Sequence, residues 1–173
     1  MKTIKVVMAL FALVILISCL PATTIAPRAD NFAFVFKDYS CAPIPLNALD
    51  TTRGTLVHTP LDGTTSITIS LHLTDDELET IYQKAISIGF FDYPSKFVIP
   101  DDQMLGSQTP ASSYELSMTN AEKTNSVTWT DDTMTKPNYT KADKLRELVN
   151  LINKIIQSHP EIQQLPQPNA ACA

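Results

Sequence analysis

The chain has 173 residues, 44% of them hydrophobic and 18% charged, the make-up of one folded domain with an ordinary core rather than a disordered segment. Its 13 Lys plus Arg are outnumbered by 18 Asp plus Glu, and a net charge of −5 weighs against a nucleic-acid partner. With only four glycines, there is little material for a phosphate-cradling loop.

The N-terminus, "MKTIKVVMALFALVILISC", sets two lysines before an apolar run from Val6 to Ile17. That run is too short for a bilayer span, which takes about 18 to 20 residues, and it suits the apolar region of an export signal. An ordinary cleavage site is poorly served: cutting after Ala22 puts Leu20 at the third position before the cut, and cutting after Ala26 puts Pro27 just beyond it. Leu16, Ile17, Ser18 and Cys19 instead resemble the lipobox of bacterial lipoproteins. The resemblance implies a signal peptide over 1–18 and a diacylglyceryl group on Cys19. It also implies a lipid-anchored protein on the extracytoplasmic side of a cell membrane or outer membrane. Leu20 after the cysteine is similar to the pattern of lipoproteins sent on to an outer membrane. Residues 20–31, "LPATTIAPRADN", have the composition of an extended tether, so the folded domain is expected to run from 32 to 173.

In "FAFVFKDY", Phe32, Phe34 and Phe36 alternate with smaller residues as in a half-buried strand, and the proline-rich "CAPIPLNALD" reads as a loop. "RGTLVHT" and "TSITISLHL" then flank a turn at Asp62-Gly63, the strongest hairpin signal in the chain. That turn puts Leu56, His58, Ile67, Ile69 and Leu71 on the buried face, and Arg53, Thr55, Thr68, Ser70 and His72 on the other. "TDDELETIYQKAISIG" predicts a helix. Thr74 and Glu77 have capping-box spacing, Asp75 and Asp76 suit the N-terminal dipole, and Gly89 suits the C-cap.

An aromatic corner, "FFDYPSKFVIP", and an aperiodic loop from about 100 to 110 follow. Two more strands, "SSYELSMT" and "TNSVTWT", are joined by the turn "NAEK". A second helix begins with Thr140 as cap and Asp143 at the box position. Leu145, Leu148, Val149, Ile152, Ile155 and Ile156 form its apolar stripe, and Pro160 ends it. Lys141, Lys144, Arg146 and Lys154 read as its solvated face. The tail after Pro160 reads as extended. The predicted fold is α+β, an antiparallel sheet of about five strands with two helices packed on one face, in the order strand, hairpin, helix, hairpin, helix.

His58, His72 and His159 have no partners at metal-ligand spacing, and no nucleophile signature is present, so neither a metal nor another cofactor is expected. Cys41 and Cys172 remain as a candidate disulfide in an exported domain, closing a loop of about 130 residues. Phe90, Phe91, Tyr93, Phe97, Tyr114 and Trp129 form a candidate binding surface, although aromatics at a helix end usually belong to a core. Asp101, Asp102, Asp131 and Asp132 are the carboxylates on which a small hydrolase would have to draw.

The stretch "LTDDELETIYQKAISIGFFDYP", a capped helix running into an aromatic corner, also resembles uncharacterised extracytoplasmic domains carried by bacterial lipoproteins. That likeness implies no activity. The function expected is a lipid-anchored binding module for an envelope protein or ligand, held to the membrane through Cys19, with a hydrolase or a small-ligand sensor as alternatives.

Overall fold

The computed structural model describes residues 27–39, 44–60 and 65–165. The expected signal peptide, Cys19, Cys41, Cys172 and the Asp62-Gly63 turn lie outside the described residues. The chain is α+β. Its strands are β1 (Ala33–Asp38), β2 (Asn47–Asp50), β3 (Thr55–His58), β4 (Ile67–Ser70), β5 (Lys96–Phe97), β6 (Met104–Asn120) and β7 (Lys123–Thr135). Helix α1 (Asp75–Ile88) lies between β4 and β5, while α2 (Thr140–Ser158) and α3 (Pro160–Gln163) follow β7.

These strands form one mixed sheet in the order β4-β3-β2-β1-β6-β7-β5, antiparallel everywhere except between β5 and β7. The sheet therefore has seven strands rather than about five. Two short strands account for the difference. The sequence "NALD" buries only Leu49 and follows two prolines, so it carries no alternation of its own. Lys96 and Phe97 form a strand only because Thr128 and Trp129, remote in sequence, lie beside them.

The hairpin register is the one an Asp62-Gly63 turn requires, His58 opposite Ile67 and Leu56 opposite Ile69. Leu56, His58 and Leu71 are buried on its inner face. On the outer face His72 covers Gly54, whose φ of +61° belongs to the left-handed region and where an added Cβ would lie 2.0 Å from the imidazole.

Helix α1 has the predicted box: the Thr74 hydroxyl accepts from the Glu77 N–H, the Glu77 carboxylate accepts from the Thr74 N–H, and Gly89 caps the end at φ +71°. Helix α2 departs from expectation at its start. Tyr139 is the N-cap with no side-chain bond, and Thr140 is already helical. Asp143 is drawn instead to the Arg146 guanidinium, 2.6 Å away. Pro160 ends α2 as predicted, but it then occupies the first turn of α3, so the tail is helical rather than extended at that point.

Helices α1 and α2 lie antiparallel, tied by Lys84 with Glu147 at mid-length and by His159 with Glu77 at one end. Their apolar stripes join Phe34, Phe36, Leu49, Leu56, Leu116, Met118, Val127 and Trp129 in one core on one face of the sheet. The opposite face is polar. There the hydroxyls of Thr119 and Thr124 (2.9 Å), Ser117 and Ser126 (2.7 Å), and Ser113 and Thr130 (3.0 Å) pair across β6 and β7.

Residues 27–31, expected to belong to the tether, are docked on the domain. Arg28 pairs with Asp75 and Glu79 of α1, and the Pro27 carbonyl accepts from the Tyr82 hydroxyl. The Asn31 side chain bonds both the N–H and the C=O of Ala121, a turn residue held at φ +54°. The polar composition that suggested a loose linker is the composition that pairs with carboxylates of α1 and satisfies a tight turn.

Candidate functional site

All six aromatics of the predicted binding surface are brought together, but inward. Ring centroids run from Phe90 to Tyr93 (6.4 Å), Phe97 (5.4 Å), Trp129 (6.1 Å), Tyr114 (5.6 Å) and Phe36 (6.2 Å), with Phe91 edge-on to Phe90. Phe90, Tyr93, Phe97 and Trp129 are buried, while Phe91 and Tyr114 are half-buried. The corner belongs to the core, where edge and offset contacts add to area burial. Burial pushes the Tyr93 phenol up to about 12, and its hydroxyl donates to the Lys141 carbonyl at 2.8 Å.

The four carboxylates do not converge. Asp131 and Asp132 are neighbours on β7 and leave it on opposite faces. Asp131 is buried on the core face and spoken for: Nε of Arg146 lies 3.1 and 3.0 Å from its two oxygens and Nη2 lies 2.7 Å away. Arg146 also donates to the Thr133 carbonyl at 2.8 Å and stacks over the Trp129 ring at 5.7 Å. It is thus a clamp between α2 and β7, not part of a solvated face. One signal for it was in the sequence. Val127, Trp129 and Asp131 share an inward register, and a carboxylate there needs a cation.

Two of the six predicted aromatics, Phe97 and Trp129, also border a groove whose other walls the sequence did not single out. After Phe97 the chain leaves the sheet, and residues 98–103 cross from the outer side of β7 to the start of β6 on its inner side. There the Gln103 carbonyl accepts from the Lys136 N–H. Between this crossover and β7 is a groove of about 430 Å³, lined by Phe97, Val98, Ile99, Met104, Trp129 and Thr130 among others, with Lys96 and Asp132 as its charged residues. Its size falls in the usual range for ligand clefts, about 300 to 1,000 Å³. Val98 is 60% exposed and Met104 36%, while Leu105 and Met134 follow at the same end of the β6–β7 hairpin. Four of the five exposed large hydrophobics among the described residues therefore gather there.

Two features give the groove its chemistry. Strand β5 pairs only Thr128 and Trp129, so from Asp131 to Thr135 the outer edge of β7 has no strand beside it among the described residues. The Thr128 N–H points outward to the Ser95 carbonyl, and by alternation the main-chain groups of Asp132 point outward too. The second is Trp129, whose indole N–H is a buried donor with no acceptor among the described residues. No group of His, Cys, Asp and Glu able to hold a metal occurs among those residues.

On the polar face Glu115 accepts from Lys37 (2.8 Å) and from the Tyr39 hydroxyl (3.0 Å). The Lys37 ammonium is the main reason its carboxyl lies below the usual range. A carboxylate lowered in the folded state stabilises above its unfolded pKa, and that stabilisation is lost as pH falls through the folded value. The midpoint of urea unfolding is therefore expected to fall from about pH 4.5 downward. Glu115→Gln should lower the midpoint at neutral pH, and the gap from the parent chain should close in acid.

No family model matches the chain, and none of the curated proteins compared with it matches either.

Proposed function

We propose that the chain is a lipid-anchored extracytoplasmic binding module that engages an envelope component through the groove at the end of the β6–β7 hairpin. The observation that carries this reading is the exposure of Val98 and Met104 in a cleft bordered by an open strand edge, with Leu105 and Met134 exposed at the same end of the hairpin. A contiguous exposed apolar patch is costly in water and marks a contact surface. Of the four carboxylates weighed for a hydrolase, only Asp132 lines the groove, so nothing in its geometry favours that alternative.

The anchoring half of the proposal rests on the lipobox resemblance at Leu16 to Cys19 and is tested by intact mass. Protein from the membrane fraction should weigh as a chain starting at Cys19 plus acyl groups, and Cys19→Ala should lose that species. An unlipidated mass for the parent chain would overturn the anchor. The same spectra test the Cys41–Cys172 pair. The non-reduced protein should be lighter by two hydrogens than the reduced one, and Cys172→Ala should abolish the difference.

The binding half is tested in intact cells with a photo-cross-linking side chain at position 98 or, as a control, at the exposed position 154 on α2. A discrete adduct from 98 and none from 154 is expected. Equal labelling from both, or none from 98, would remove the groove as the contact.

A further inference from the structure

Resting on that reading, we propose that the groove's occupant is an extended peptide segment of a partner protein, added as a strand to the free edge of β7 and carrying a basic side chain beside Asp132. The unmet demands of the site are those of a missing strand. β5 ends at Phe97, and the position it vacates is bordered by the outward main-chain groups of Asp132. A peptide main chain meets them with alternating N–H and C=O groups, as in strand addition to an exposed sheet edge.

Side chains of such a strand alternate, as those of its neighbour do. One set would meet the apolar wall of Val98, Ile99 and Met104. The other would lie beside Thr130 and Asp132 on the polar face. Asp132 is exposed, accepts only from the Thr133 hydroxyl and forms no ion pair among the described residues. The groove's other charged residue, Lys96, is paired with Thr128, four residues from Asp132 along β7. Cross-strand pairs of opposite charge are favourable and like pairs are not, which selects lysine or arginine over an acidic residue in the occupant.

Trp129 is the chain's one tryptophan, so its emission reports on the groove without a label. The probe is a capped pentapeptide alternating valine with lysine and threonine, titrated into the full-length protein. Saturable change in Trp129 emission is expected. A proline at the central valine removes an N–H that a strand needs and should weaken binding about tenfold. Replacing the peptide lysine by glutamate should weaken it too, and Asp132→Lys should reverse that preference. Because Asp132 is exposed, this variant is expected to fold, which circular dichroism checks.

Equal binding of the proline peptide would overturn strand addition. Indifference to the charge exchange would overturn the role of Asp132, and no saturable response to any peptide would overturn the proposal as a whole. Each of these leaves the position-98 adduct to stand or fall separately, so failure of the peptide mode and failure of the binding-module reading give different results.

Discussion

Replacing Phe36 with alanine is expected to cost about 4 kcal/mol of folding stability, the largest loss from any single substitution considered for this chain. Phe36 is completely buried on β1, the middle strand of seven. Its neighbours across the ladder are Leu49 on β2 and Leu116 on β6, and its ring stacks on Tyr114 at 6.2 Å and 16°. Truncation opens a cavity where both halves of the sheet meet the helices, and backbone on each side prevents collapse into it. Domains of this size are stable by about 5 to 15 kcal/mol, so the variant should unfold at far lower urea. Phe36→Leu, which keeps much of the volume, should cost only about 1.5 kcal/mol. Equal losses from both would point to a requirement for the aromatic ring rather than for filled space.

Arg146→Met should cost about 3 kcal/mol for a different reason, because it strands the Asp131 carboxylate inside the protein. The guanidinium presents Nε and Nη2 to Asp131 and Nη1 to Asp143, while Nη2 also donates to the Thr133 carbonyl, a geometry that a lysine ammonium cannot reproduce. Arg146→Lys is accordingly expected to lose most of the same stability. Adding Asp131→Leu to Arg146→Met should restore much of it, since an apolar pair replaces an orphaned charge. The guanidinium also lies over the single tryptophan, so Arg146→Met should shift Trp129 emission in the folded state as well. If the double variant is no more stable than Arg146→Met alone, the clamp acts through Asp143 and Thr133 rather than through Asp131.

These two sites show what the sequence made legible. Alternation exposed the inward register of Phe34 and Phe36 and of Leu56 with Ile69, because one face of the sheet is dry and the other wet. The Thr74 to Gly89 helix was fully marked by its caps. Residues 104–110 gave no period because nothing buries either side of that part of β6. It is a strand only through its pairing with β7. The groove was illegible for the same reason. It arises where β5 stops after two residues and the chain crosses over β7, a junction between segments some thirty residues apart that no local pattern encodes. The aromatic residues were grouped correctly by proximity, but proximity does not say which way rings face.

The docked segment at residues 27–31 has a mechanical consequence. With Arg28 and Asn31 fastened to α1 and the β6–β7 turn, only seven residues separate Cys19 from Pro27, a leash of at most about 25 Å. Its attachment is beside Asn120, the last residue of β6, whereas the groove is beside Met104, the first. Along β7, Lys123 at the turn and Thr130 in the groove are seven residues apart, which sets the two about 23 Å from each other. A chain held to a bilayer at Cys19 would therefore stand like a bracket, its foot at one end of the long hairpin and its gripping edge at the other. It would meet a partner within a reach bounded by that leash and the length of strand beyond it, narrower than a longer tether would allow. Length added to the hairpin or to the leash would widen that reach.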